Sequence, residues 1–302
     1  MAGWFKLGDI FLATSQSKQS LDGTWEHRSD KSLFLYDGAS HALLGQWGKG
    51  VTGFGEGYGG PTLAPNGDLW IPNWDGVFES RAPDGSMRWS HPTWQSVACA
   101  AFDRTNSGWI GSQSGELGQF RMDGTTVGVY VPAEEGRGLD HMVVHADGHT
   151  LLYTSEGESI LTWDLQTHLQ GGTFFSMPDA TMYGICRVPA DGSYLVVDAY
   201  GSTDEGKVHH VSVNGTLVRT YPLPPNFWLP YGVDVEADSQ HFWVGCEIDN
   251  DPVKQDFGVA LRISMASGAV TATIDPNCPM NTNDGVEVSV MKSVRTPMLR
   301  VS

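Results

Sequence analysis

The 302-residue chain is short of basic residues, of cysteine and of long apolar runs, and each shortage removes a class of function. Lys and Arg number 18 against 35 Asp and Glu, a formal net charge of −17 at pH 7. A surface of that sign repels a phosphate backbone and carries no local basic patch, so nucleic acid is a poor partner. The four cysteines, Cys99, Cys186, Cys246 and Cys278, form no CxxC pair. That spacing removes zinc-ribbon and thioredoxin-like chemistry and reads as buried thiols, with a Cys246–Cys278 bridge left open. The ten histidines show no HExxH spacing. No apolar run approaches the ~18 residues that cross a bilayer, and the first residues hold one lysine and are broken by Gly8 and Asp9. No signal peptide and no membrane insertion are therefore expected, which points to the cytoplasm or a viral particle. Hydrophobic residues at 40% against 18% charged exclude a disordered chain.

What is abundant is glycine, 37 residues, together with 11 Trp, 12 Phe and 9 Tyr. Turn formers and strand formers in joint excess predict many short strands. Their arrangement repeats. A strand pair around a tight turn recurs at Thr62, Cys99, Met142, Ile185, Val233 and Val286, at spacings of 37, 43, 43, 48 and 53 residues. These are propeller-blade periods. Each unit adds a second hairpin, around Asp84-Gly85, Asp123-Gly124, Asn214-Gly215, Ser267-Gly268 and, near the N-terminus, Asp37-Gly38; a further copy at 160–175 lacks the glycine. Asp-Gly and Asn-Gly between apolar runs predict type I′ turns. Four strands per unit follow. The expected fold is all-β, a single propeller domain over 1–302, with six blades and seven possible if 297–301 forms a further strand. The N-terminal strands and the 286–290 run share one blade and close the ring, which removes free sheet edges. A β-sandwich competes but does not demand paired hairpins.

In an up-and-down blade with strands a to d from the centre outward, the a–b and c–d turns share one face and the b–c and d–a connections the other. The second set is long and rich in acids and aromatics, at 15–31 with Trp25, 73–76, 155–158, 199–205 and 247–251, and at 55–60, 93–94, 139–141, 182–183, 226–231 and 281–284. Function sits on such loops. The candidate binding residues are Glu56, Tyr58, Trp74, Trp94, Asp140, Tyr183, Asp198, Tyr200, Trp228, Tyr231 and Asp284. Aromatic platforms beside carboxylates suit sugar rings or cationic groups. Trp70, Trp89, Trp109, Trp163 and Trp243 fall inside strand patterns and read as blade packing. His209 and His210 are expected on opposite sides of a strand. Residues 247–251 offer hard oxygen donors for calcium but lack EF-hand spacing.

The run 207–224, followed by Leu229-Pro230-Tyr231-Gly232-Val233, resembles the repeat of NHL and streptogramin-lyase (virginiamycin B lyase) propellers, and 61–70 is similar to the same consensus. The resemblance covers about 60–275 and implies a propeller more than an activity. Streptogramin lyases need two histidines and a glutamate near magnesium; the matching positions here are Tyr183, Tyr231, Asp284 and His141, a single histidine. The related gluconolactonase propellers hold a divalent metal with Glu, Asn, Asn and Asp, of which Glu56 and Asp284 resemble two, while tyrosine replaces Asn at Tyr183 and Tyr231. Two readings result. The first is a cofactor-free recognition or scaffold propeller, lectin-like or a virion appendage, that binds a glycan or protein; its oligomeric state is undetermined. The alternative is a metal-dependent (Ca or Mg) lactonase or lyase, with Glu56, Asp140, Asp198 and Asp284 as ligands and His141 as general base.

Overall fold

The computed structural model describes residues 5–14, 17–19, 25–27, 32–47, 60–73, 77–92, 97–199, 206–248, 257–276 and 286–290. Their regular structure is strand, arranged as six four-stranded antiparallel sheets in a ring, the six-bladed β-propeller. The first blade is Thr62–Leu63, Leu69–Asn73, Val77–Arg81 and Met87–Pro92; the second is Val97–Phe102, Gly108–Ser112, Leu117–Phe120 and Thr126–Tyr130. The third is His141–Val144, Thr150–Thr154, Ser159–Asp164 and Leu169–Ser176; the fourth is Met182–Arg187, Tyr194–Asp198, Lys207–Val211 and Leu217–Pro222. In the fifth, two short pieces, Phe227–Trp228 and Val233–Val235, form the inner strand against His241–Ile248, followed by Phe257–Ser264 and Val270–Ile274. The sixth is composite: Val286–Val290 is its inner strand, paired in full antiparallel register with Ile10–Thr14, then Ser32–Tyr36 and Leu43–Trp47. Residues 297–301 lie outside the described residues.

The strands read as continuous apolar runs because both faces of each blade are buried. In Ile10–Thr14, Ile10 and Leu12 pack toward the fifth blade with Trp243 and Ala260, whereas Phe11 and Ala13 pack toward the first with Leu69 and Ile71. Period-2 alternation thus feeds two interfaces from one strand. The same holds around the ring, where one apolar cluster fills each of the six junctions between neighbouring blades. Trp70, Trp109, Trp163 and Trp243 are buried there and Trp89 is half-buried. Two of the indoles are satisfied by acids of a–b turns, Trp109 Nε1 donating to Asp103 Oδ2 at 2.9 Å and Trp243 Nε1 to Glu236 Oε1 at 2.9 Å.

The turns differ from the type I′ expectation. Positive φ occurs at the glycine alone in Gly67 (87°), Gly85 (83°), Gly124 (84°) and Gly215 (76°), and at His41 (57°) instead of the glycine in the Asp37-Gly38 copy. Each of these glycine N–H groups donates three residues back, Gly67 to the Ala64 carbonyl and Gly85 to the Ala82 carbonyl, while the Ala64 and Ala82 N–H groups donate to the Asp68 and Ser86 carbonyls and close the loop. This is a type I turn followed by a left-handed residue, a three-residue loop rather than a two-residue one. The aspartate prefers it because its carboxylate then accepts the N–H two residues on, as Asp84 Oδ1 does from Ser86 at 2.9 Å. A second difference is the 15–31 connection, expected as plain loop, where Ser17–Gln19 pairs with Trp25–His27 in a two-stranded ribbon that satisfies backbone groups within the excursion.

Gly67 tests the turn assignment, because a Cβ added there meets nothing within 4 Å. Gly67→Ala is expected to lose about 1–2 kcal/mol from the left-handed backbone alone, and Gly67→Asn to recover part of it, in urea unfolding. Leu12→Ala, at a fully buried position serving the closing blade, is expected to cost about 2–5 kcal/mol. A loss under 1 kcal/mol in the same assay contradicts tight closure of the ring.

Candidate functional site

Every inner strand starts on the face that carries the b–c and d–a connections, so the first residues of these strands ring the central channel there. Three consecutive blades contribute His141, Met182 with Tyr183, and Trp228 through Tyr231. His141, Met182, Tyr183 and Trp228, expected in connections, are instead strand residues, while Tyr231 lies between two strand pieces. The inner edge is irregular at this level. Pairing slips between Val97 and Cys99 and between Met182 and Ile185. In the fifth blade the strand breaks across 229–232, with Leu229 at a φ of 42°. Bulges re-aim side chains next to sites.

Backbone contacts stitch neighbouring blades at this rim. Leu139 N–H donates to the Ser112 carbonyl at 2.8 Å, and Gly184 N–H to the Tyr231 carbonyl at 2.8 Å. Thr154, cross-strand from His141, donates its hydroxyl to the Tyr183 carbonyl at 2.5 Å. Gly184 has to be glycine, since a Cβ there would collide with the Tyr231 carbonyl oxygen. This close approach brings the Tyr183 and Tyr231 rings together edge to face, with centroids 5.1 Å apart. Tyr183 is buried and backs Tyr231, which is half-buried, as are His141 and Trp228.

Asp140 stands at the start of this arc. It is buried, its N–H donates to the Thr154 carbonyl, and its Oδ1 accepts from Gln113 Nε2 at 2.6 Å. Its Oδ2 is buried with no hydrogen-bond partner among the described residues. Arg137 lies 4.0 Å from Oδ1 and forms an ion pair with Glu156. Burial, reinforced by the Glu156 carboxylate, pushes the Asp140 carboxyl up to about 7, against the opposing pull of His141, Gln113 and Arg137. The group therefore carries a proton over the acidic range and holds an O–H to donate.

Asp198 is held differently. It ends strand Tyr194–Asp198 in a buried position, where Oδ1 accepts from Thr181 N–H at 3.0 Å and Oδ2 lies 3.4 Å from His209 Nε2. His209 Nδ1 is 3.0 Å from the Thr220 hydroxyl. This Asp–His–Thr row crosses the fourth blade and braces its strands. His210, on the opposite side of the strand, meets the Ser193 hydroxyl at 2.7 Å instead. Glu247, expected to open a calcium-type loop at 247–251, is a fully buried residue of strand His241–Ile248, cross-strand from Trp228; residues 249–251 lie outside the described residues. So do Glu56, Tyr58, Trp74, Trp94, Tyr200 and Asp284.

Gln113, Arg137, Thr154 and Glu156 are members of the arc that sequence reasoning did not select. Gln113 reaches Asp140 from 27 positions away in the chain, and no local pattern carries that pairing. Among the described residues, the His/Cys/Asp/Glu group with ligating geometry is Glu236, Asp238 and His241, on the opposite face. Arg262 occupies it, with Nε to Glu236 Oε1 and Nη2 to Oε2 both at 2.7 Å. A guanidinium in that position opposes a second cation. Cys99, Cys186 and Cys246 are buried free thiols, and burial pushes the Cys246 thiol up, away from reactivity. Cys278 lies outside the described residues.

A structure of hydrazine synthase from Kuenenia stuttgartiensis aligns with a TM-score of 0.59 at 14% identity, over 72% of this chain and 65% of that one. The chain thus spans just under two thirds of the length of that structure. Likeness at this level is one of fold and supports the β-propeller alone. No protein-family model matches the chain, so the NHL and lyase families stay at the level of resemblance. No curated protein matches it either. Among the described residues no helix is long and apolar enough to cross a membrane.

The Asp140 environment sets a pH dependence with a definite sign. A carboxyl raised from 3.8 to about 7 holds its proton in the folded state where the unfolded chain releases it. The contribution of Asp140 to stability is therefore fully present below pH ~4 and is lost as pH rises toward ~7, by about 1.4 kcal/mol per pH unit at most. Asp140→Asn keeps the acceptor for Gln113 and removes the titration. Urea midpoints are expected to converge for the two proteins near pH 4 and to favour the variant increasingly up to pH 7; parallel profiles would exclude a buried, raised Asp140.

Proposed function

We propose that the protein is a non-catalytic recognition propeller that binds a glycan or protein partner through the face carrying its b–c and d–a connections. What supports the reading is the make-up of this rim: half-buried Trp228 and Tyr231, the latter edge to face with Tyr183, on one stretch of it, and the Asp140, Gln113, Arg137 and Glu156 group further along the same rim. Rings supply a flat apolar surface to a sugar face or an aliphatic side chain, and a neutral carboxyl supplies both a donor and an acceptor to hydroxyl or amide groups. Glu56, Tyr58, Trp74, Trp94, Tyr200 and Asp284 are proposed to extend the same surface. A lectin-like component, in the cytoplasm or on a viral particle, is the setting in which such a surface has use.

The metal-dependent lactonase or lyase with His141 as base is the weaker reading. Of its four acids, Asp198 has both oxygens facing Thr181 and His209 and Asp140 has Oδ1 facing Gln113, and no group of described ligating residues includes either.

A glycan array and a protein pull-down with the full chain test the proposal. Tyr231→Ala and Trp228→Ala are each expected to weaken ligand binding roughly tenfold, the order of one lost ring contact, with a lowered unfolding temperature because both rings are half-buried, and Tyr231→Phe to keep both the ring contact and the stability. Blank results in both screens, or a hydrolytic activity abolished by chelator, would reject it.

A further inference from the structure

All but one of the large hydrophobic residues exposed on the described structure lie on or just past the outermost strands of the blades, the exception being Leu7. The second blade concentrates them. Its outermost strand, Thr126–Tyr130, is the last of its sheet and pairs on one side with Leu117–Phe120. Val127 (51%), Val129 (50%) and, immediately after the strand, Val131 (76%) are exposed at every second position. Tyr130, between them, points the other way into the packing with Trp109 and Trp163. One side of this edge is therefore an apolar row beside backbone groups that have no strand across from them among the described residues.

Natural edges are blunted with charge or proline. The outermost strands of the first and fourth blades follow that rule, with Arg88 and Pro92 in Met87–Pro92 and Arg219 and Pro222 in Leu217–Pro222, whereas those of the third, fifth and sixth, LQGGTFFS, VTATI and LLGQW, do not. The five residues of Thr126–Tyr130, TVGVY, hold neither. The charge lies at the ends instead. Arg121 and Asp123 offset each other before the strand. Past it, Glu134 lies beside Gly115, and Glu116 precedes the cross-strand partner of Tyr130. Neither glutamate is ion-paired among the described residues.

We infer that the edge strand Thr126–Tyr130 is a docking site for an extended segment of a basic protein partner, added as a fifth strand to the second blade. Backbone hydrogen bonds supply affinity, and alternate apolar side chains of the segment lie against Val127, Val129 and Val131. A Lys or Arg at the end nearest Val131 meets Glu116 and Glu134. A second copy of this chain fits poorly, because pairing two such edges brings together two molecules of net charge −17. The surface lies at the outer rim and is separate from the channel face.

The test pans a displayed library of random decapeptides against the full-length protein. Enriched sequences are expected to alternate apolar residues and carry Lys or Arg, to bind more weakly as salt is raised, and to protect the amides of 127–131 from hydrogen exchange. Val129→Lys, at an exposed position, is expected to reduce their binding at least tenfold, and Glu134→Gln several-fold, with unfolding temperature unchanged. Tyr231→Ala on the channel face is expected to leave it intact, which separates this site from the recognition surface. Failure of any peptide to enrich, binding indifferent to Val129→Lys, or a dimer of the protein that Val129→Lys dissolves would each overturn the inference.

Discussion

The structure depends on the pairing of Val286–Val290 with Ile10–Thr14. Blades with two apolar faces have no stable existence alone, since each face finds cover only on a neighbour. A row of five such units would leave two apolar faces open to water. Joining strands from near the two ends of the described chain into one sheet turns the row into a ring, and the composite blade then covers the fifth blade with Ile10 and Leu12 and the first with Phe11 and Ala13. A single strand thereby serves both junctions. The cost is the entropy of joining distant parts of a chain, which grows only slowly with loop length.

Closure also determines what the channel face is. With the inner strands held side by side, backbone meets backbone across blade boundaries, and the hydrogen bond from Gly184 to Tyr231 exists only because the two strands approach more closely than any side chain at position 184 would allow. That approach sets the Tyr183–Tyr231 pair. The same crowding buries Asp140 between the second and third blades near Glu156, and low polarity plus a like charge holds its proton. Position in the ring, more than residue type, separates it from Asp198. Both are buried aspartates at the edge of a strand, yet Asp198 accepts a backbone N–H and faces a histidine, whereas Asp140 accepts one side-chain amide and lies near the Glu156 carboxylate.

The repeat was readable because its signals are local. Turn glycines after Asp or Asn and apolar runs at regular spacing located most strands of the six blades, and the hairpin around Asp37-Gly38 with the alternating 286–290 run located the shared blade. The turn type was not readable, because Asp-Gly suits both a two-residue and a three-residue loop, and the choice follows from the register of the strands it joins. Nor was the burial of Glu247. An acidic run of Glu247-Ile248-Asp249-Asn250-Asp251 looks solvated, and only the inner strand piece Phe227–Trp228 across from it places Glu247 inside.

The amino-acid sequence by itself thus determined the four-stranded repeat and the order of pairing within each blade, since hairpins and alternation act between near neighbours in the chain. The tertiary structure alone decided which of those side chains meet. Gln113 with Asp140, Thr154 with Tyr183, and Tyr183 with Tyr231 are contacts between different blades. They arise from the angle at which closed blades converge on the channel, a quantity that no spacing along the chain encodes.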